Sequence, residues 1–229
     1  MKKKKEKKRK HQVEIPNGYF HYNIDDEGSL VFVDVISTVS EQPTSNNTTN
    51  RQHHAQRHSR PIQAGDYVVL DFSGDVCKHD WAAIAANPRA MHLPALPLDR
   101  FRTIYRQAIN QIVSSEATPV LLALPTLLPQ RYFDFVTQEI DREAVLQWLS
   151  GDVCSLSSRH EQYNSIICEE ASMQAIPLID ISSLLLKHRN TDDYYAPDGI
   201  HPNTKGHTLI AETVAQSGVM PAELKRIAQ

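Results

Sequence analysis

The chain has 229 residues, 41% of them hydrophobic, and a formal net charge of −3. That is enough material for one full α/β core and does not call for a second. No apolar run is long enough to span a bilayer, and no stretch carries the aromatic and basic signature of a nucleic-acid fold. Three cysteines, Cys77, Cys154 and Cys168, are an odd number without metal-ligand spacing. This argues against a disulfide framework and suits buried thiols in a cytoplasmic protein.

Residues 1–11 form a basic leash. The first ten hold seven lysines and Arg9 against Glu6, a net +7 that leaves −10 on the rest of the chain. No apolar segment follows, so the leash is neither a secretory signal nor a membrane anchor. A solvated, disordered end is the expected state. Contact of Lys2–Lys10 with RNA or an anionic surface through charge alone is the lesser reading.

Residues 12–64 are a poorly defined segment. Val31-Phe32-Val33-Asp34-Val35-Ile36 is an apolar run that suits a strand or a buried helix, and its period does not decide. Residues 41–60 are mainly Ser, Thr, Asn, Gln and His with almost no apolar residue, a composition expected of a mobile loop. His53, His54 and His58 lie there without a carboxylate or thiol beside them, so no metal site is expected.

Order is expected from Gly65-Asp66 onward, in a domain over 65–229. Tyr67-Val68-Val69-Leu70-Asp71-Phe72 reads as a strand buried on both faces that ends in the small-residue turn Ser73-Gly74-Asp75. A Pro-rich loop at 87–97 leads to a helix over 98–115, with Phe101, Ile104, Tyr105, Ala108, Ile109 and Ile112 on or near one face. Pro119 to Pro125 reads as the next buried strand, followed by the loop Leu124-Pro125-Thr126-Leu127-Leu128-Pro129, whose apolar side chains suit either a cleft for an acyl group or the core. Arg159 to Ala171 reads as a helix, Ile176 to Ile181 as a strand, Leu184 to His188 as a short helix, and Asn203 to Ala215 as an amphipathic helix. Strands alternating with helices signify crossovers and a parallel sheet. Ligand sites in such sheets lie at the C-terminal strand edge.

The most informative segment is Asp198-Gly199-Ile200-His201-Pro202. A carboxylate three residues before a histidine can fix one ring nitrogen while the other takes a proton from a nucleophile. Gly199 supplies the turn between them. Trp81 and Trp148 suit packing or pocket walls.

With Lys205-Gly206-His207, the segment from Asp198 to Asn203 resembles the last block of the SGNH (GDSL-type) hydrolase superfamily. Tyr67 to Trp81 is similar to the strand and loop of its third block. The resemblance covers Gly65 to about Gln216, about two thirds of the chain. It implies a flavodoxin-like three-layer α/β/α sandwich with a parallel sheet, and an ester hydrolase acting on a small ester or acylated substrate. Asp198 would orient, and His201 deprotonate, a serine near the N-terminus.

The other blocks depart from the family pattern. Its Gly-x-Asn-Asp stands here as Ser73-Gly74-Asp75-Val76, with Cys77 and Trp81 supporting that register, so the oxyanion region at Gly74 and Asp75 is degenerate. An ionised Asp75 offers no donor, and one lost donor costs about a hundred- to a thousand-fold in rate. No Gly-Asp-Ser occurs in the chain. The family spacing counted back from Ser73 lands near Gln12-Val13-Glu14, and the second block's glycine would fall in the glycine-free tract 45–50. The nucleophile is therefore unassigned, with Ser37 and Ser73 as weak candidates. Three readings stay open: a working hydrolase with a displaced serine, a degenerate relative that binds a ligand in the old cleft, and a hydrolase whose N-terminal block is missing. In the first, activity falls as His201 becomes protonated. No P-loop, G-x-G-x-x-G or H-E-x-x-H motif is present, so neither cofactor nor metal is expected.

Overall fold

The computed structural model describes residues 62, 64–71 and 77–219, together with the backbone of four short strands nearer the N-terminus. Those strands pair as two antiparallel hairpins: β1 (Val13–Ile15) with β2 (Gly18–Phe20), and β3 (Tyr22–Ile24) with β4 (Leu30–Val33). The apolar run that suited strand or helix is thus extended as far as Val33.

The organising element is a three-stranded parallel sheet of β5 (Tyr67–Leu70), β6 (Thr118–Leu122) and β7 (Leu178–Ile179), in that order. Leu70 lies opposite Leu121, and Leu121 opposite Leu178. Side chains alternate across a sheet, and here both faces are apolar. Val68, Leu70 and Leu121 join the larger core, whereas Val69, Val120, Leu122 and Ile179 join a smaller one on the opposite face.

The connections explain the two cores. β5 reaches β6 through α1 (Trp81–Ala86) and α2 (Leu98–Ser114), and β6 reaches β7 through α3 (Pro129–Val136), α4 (Arg142–Trp148) and α5 (Ser155–Gln174). Helices α2 and α5 bury Phe101, Tyr105, Ile109, Tyr163 and Ile167 against the first face. Then α6 (Ile181–Leu186) and α7 (Thr204–Gln216) cover the second with Ile181, Ile210 and Val214. The result is the expected three-layer α/β/α arrangement. Each fully buried large apolar side chain contributes roughly 1.5–3 kcal/mol.

One polar clamp crosses the larger layer. Glu170 of α5, with no solvent exposure, accepts from Arg106 Nε (3.0 Å) and Nη2 (2.7 Å), Arg102 Nη1 (3.3 Å) and Gln174 Nε2 (2.9 Å). Arg102 also reaches Glu169 at 2.6 Å. The apolar stripes that join α2 to α5 are thereby fixed in register.

Three expectations need correction. The last strand ends at Ile179, because Asp180 caps α6 by accepting from Ser183 N at 2.9 Å; α6 starts at Ile181, not Leu184. The long helix runs from Ser155 to Gln174, beyond the apolar stripe on both sides. Of the cysteines, all free, only Cys77 is buried, while Cys154 is exposed and Cys168 intermediate. Among the described residues no helix is long and apolar enough to cross a membrane.

Candidate active site

Both residues of the predicted dyad lie on one self-bonded loop that leads into α7. Tyr195 pairs with Pro202, Ala196 N donates to the His201 carbonyl (2.8 Å), and Gly199 N donates to the Ala196 carbonyl (3.1 Å). Asn203 closes the loop's base. Its side-chain oxygen caps α7 at Gly206 N (3.0 Å), while its amide nitrogen donates to the carbonyls of Asp193 (2.8 Å) and Tyr195 (3.0 Å). Ile200, 5% exposed, anchors the loop in the larger core.

Two glycines are required here for different reasons. Gly199 has φ +74°, and a Cβ there would fall 2.8 Å from both Arg131 Cβ and Tyr132 N. The carbonyl of Gly199 accepts from Leu128 N at 2.9 Å, which ties the loop to the N-terminal cap of α3. Gly206 lies in the first turn of α7, where a Cβ would run into the Tyr194 carbonyl oxygen and approach Pro202 Cβ to 2.9 Å.

Asp198 Oδ2 stands 2.7 Å from His201 Nδ1, and Asp198 Oδ1 accepts from the backbone N–H of Ile200 and of His201, both at 3.1 Å. Burial opposes the charge on Asp198. The His201 ring and those two N–H groups outweigh it and hold the carboxyl below its ordinary value. An ionised Asp198 thus fixes the Nδ1–H tautomer, leaving Nε2 as the basic nitrogen. The His201 side chain is 34% exposed.

Two further titratable groups feel the charge of His201. His207 of α7 is lowered, first by burial and then by the charge of His201, against a hydrogen bond with the Pro202 backbone that raises it. Asp71, the residue after β5, is pushed up to about 6 by burial, with His201 as the opposing charge. Sequence reasoning read Asp71 only as part of a strand. The available signal was a carboxylate closing an otherwise apolar run at a sheet edge.

Trp81 and Trp148 belong to an aromatic cluster. Their rings meet edge to face at 6.1 Å, His79 lies 5.0 Å from Trp148, and Arg159 stacks over Trp148 at 4.5 Å. Trp81 also meets Tyr132 at 5.8 Å, and Tyr132 backs Gly199. The cluster therefore forms a wall contiguous with the dyad loop. Leu124 and Leu127 are buried in the core, so that part of the loop after β6 supports the site from beneath. Ser37, Ser73, Gly74, Asp75, the leash Lys2–Lys10 and the histidines at 53, 54 and 58 lie outside the described residues. Among the described residues no group of three or more His, Cys, Asp or Glu is arranged to hold a metal.

Residues 12–209 match the model of the GDSL-like lipase/acylhydrolase family. Among solved structures, a lipase/acylhydrolase from Enterococcus faecalis is similar at 18% identity and TM-score 0.39, over 59% of this chain and 56% of that one. A GDSL-like lipase from Bacteroides thetaiotaomicron VPI-5482 is similar at 17% identity and TM-score 0.33, over 58% of this chain and 56% of that one. The match thus spans little more than half the length of either. No curated protein matches the sequence.

Proposed function

The chain belongs to the GDSL-like lipase/acylhydrolase family, and from that premise we propose that it hydrolyses a small carboxylic ester, acyl or acetyl, with His201 as general base and Asp198 as its orienter. The observation that carries this reading is the 2.7 Å contact between Asp198 Oδ2 and His201 Nδ1 on a loop that holds both side chains rigidly. A serine hydroxyl gives its proton to His201 Nε2 as its oxygen attacks the ester carbonyl. The imidazolium, stabilised by Asp198, returns the proton to the departing alcohol. Water then repeats the sequence on the acyl-enzyme and releases the acid.

The nucleophile is unassigned; its sequence candidates, Ser37 and Ser73, lie outside the described residues. Gly74 can offer a backbone N–H to the oxyanion, whereas Asp75 contributes a donor only when protonated. That substitution favours a second reading, a relative that binds an ester or acylated ligand in the same cleft without turning it over. We place the domain that carries the site at 65–229, behind the leash at 1–11.

Fluorophosphonate labelling of the purified protein, with and without His201→Ala, followed by mass spectrometry, separates the two. A single labelled serine that loses reactivity in the variant supports hydrolysis and locates the nucleophile. A cooperatively folded protein that takes no label and releases no product from p-nitrophenyl acetate overturns the catalytic reading in favour of binding.

A further inference from the structure

The aromatic wall beside the dyad loop holds two polar atoms that the fold does not use. His79 is 6% exposed, and its Nε2 has no hydrogen-bond partner; Trp81 Nε1 is likewise buried and unpartnered. Their rings stand 5.6 Å apart, and both pack against Trp148, with centroids at 5.0 Å for His79 and 6.1 Å for Trp81. Buried polar atoms are nearly always satisfied, so two unused ones on neighbouring rings call for a reason.

The chemistry of each atom narrows that reason. The His79 ring has a hydrogen bond to the Cys77 backbone, and because Nε2 is the nitrogen without a partner, the bond is made by Nδ1. Burial first, and then the charge of Arg159, push the ring down to about 4. Near neutral pH the ring is therefore uncharged, with its proton on Nδ1 and a bare lone pair on Nε2. Trp81 Nε1–H can only donate. An anionic oxygen is repelled by the lone pair, and an apolar group satisfies neither atom. A hydroxyl suits both, since it donates to His79 Nε2 and accepts from Trp81 Nε1.

The wall also lies where the alcohol part of an ester can reach it. Trp81 meets Tyr132 at 5.8 Å, and Tyr132 N stands 2.8 Å from where a Cβ on Gly199 would fall, so the wall adjoins the turn between Asp198 and His201. Trp81, Trp148 and Arg159 are only partly buried, which gives the cluster a face toward solvent. Arg159, over Trp148 at 4.5 Å, brings guanidinium donors for further oxygens. The two unpartnered atoms are shielded behind that face, so a hydroxyl reaches them with a small shift of the half-exposed rings. We propose that His79 and Trp81 form a hydroxyl subsite, and that the ligand is an ester whose alcohol part carries free hydroxyls, a polyol or a sugar, rather than a simple alkanol.

This assignment rests on the hydrolase reading of the same site, but its test does not require turnover. The His79 Nε2 resonance, assigned with His79→Phe, is followed by nitrogen NMR on the full chain carrying His201→Ala, which leaves the esters intact. The probes are 2-hydroxyethyl acetate, glycerol monoacetate and a glucoside monoacetate, with propyl acetate as the hydroxyl-free control. A hydroxylated ester is expected to move Nε2 upfield, as a new bond to its lone pair requires, and to bind about ten-fold or more tightly than propyl acetate. His79→Phe should abolish that preference and His79→Gln, which keeps an acceptor, should retain part of it. If His79→Phe fails to fold, the Nε2 signal, assigned instead with His79→Gln, decides. The glycerol and glucoside arms tell a polyol from a sugar. An Nε2 signal unmoved by all three hydroxylated esters, or moved equally by propyl acetate, overturns the proposal. So does a signal already at the hydrogen-bonded position and unchanged by every probe, which marks a resident water. Hydroxyl-dependent binding in a wild type that turns over no ester keeps the subsite and retires the hydrolytic reading; turnover of p-nitrophenyl acetate with a silent Nε2 does the reverse.

Discussion

Replacing Asp198 by Asn separates the chemical role of this side chain from its structural one. In the native loop Oδ1 accepts two backbone N–H bonds and Oδ2 faces His201 Nδ1 at 2.7 Å. The amide keeps the first function through its remaining oxygen, so the loop and the entry to α7 should hold. It inverts the second. Its NH2 group donates to Nδ1, which moves the imidazole proton to Nε2 and removes the base. It also leaves any imidazolium without a counter-charge. In serine hydrolases such an exchange costs about 10⁴ in kcat, and a fall of about 10³–10⁴ is expected here, equivalent to about 4–5.5 kcal/mol in the transition state. Initial rates on p-nitrophenyl acetate across pH, with a thermal melt as control, make the measurement. Activity within ten-fold of wild type in a protein with an unchanged melt would refute the assigned role of Asp198.

Three further outcomes follow from the same geometry. Glu170→Gln keeps the shape of the α2–α5 clamp but removes its charge, and is expected to cost about 2 kcal/mol, a fall in Tm of about 4–8 °C. The Arg106 bonds hold Glu170 below its ordinary value, so wild-type stability from this group is present above the ordinary carboxylate range and lost as pH falls through the lowered one; the variant should lack that part of the acid dependence on denaturant titration. Gly206→Ala tests a sign. Helix propensity alone predicts a gain of about 1 kcal/mol, whereas the collision with the Tyr194 carbonyl predicts a net loss of about 1–2 kcal/mol and a weakened dyad. Gly199→Ala should cost about 1–3 kcal/mol in chemical denaturation, since it adds both a left-handed alanine and a contact with Tyr132 N.

The elements with long apolar periodicity were legible in the sequence. The stripe from Phe101 to Ile112 places α2 to within one residue, and the runs at Val68–Leu70 and Val120–Leu122 place β5 and β6. Helices α1 and α4 escaped because each carries one fully buried residue, Ile84 and Val145, and owes its start to the caps Asp80 and Asp141 rather than to a stripe. The spacing of Phe101, Ile104, Tyr105, Ala108, Ile109 and Ile112 has no counterpart in such short segments. The dyad was legible because Asp198 and His201 lie three residues apart, so local geometry alone brings them together. The upward shift of Asp71 was not, because it follows from how the folded chain packs around the end of β5 rather than from its neighbours in sequence.

The manner in which the Asp198–His201 loop is held has a bearing on how relatives of this chain should be judged. Asp198 has two occupations: its Oδ1 satisfies two backbone N–H groups of the turn, and its Oδ2 serves the imidazole. A lineage that abandoned hydrolysis would still lose a well-formed entry to α7 by discarding this aspartate. The His201 ring meets the Asp198 carboxylate, and in the proposed reaction it is the group that takes the proton. Between two related sequences, then, an Asp at the first position reports an intact scaffold, while the histidine is the residue whose replacement marks a retired enzyme.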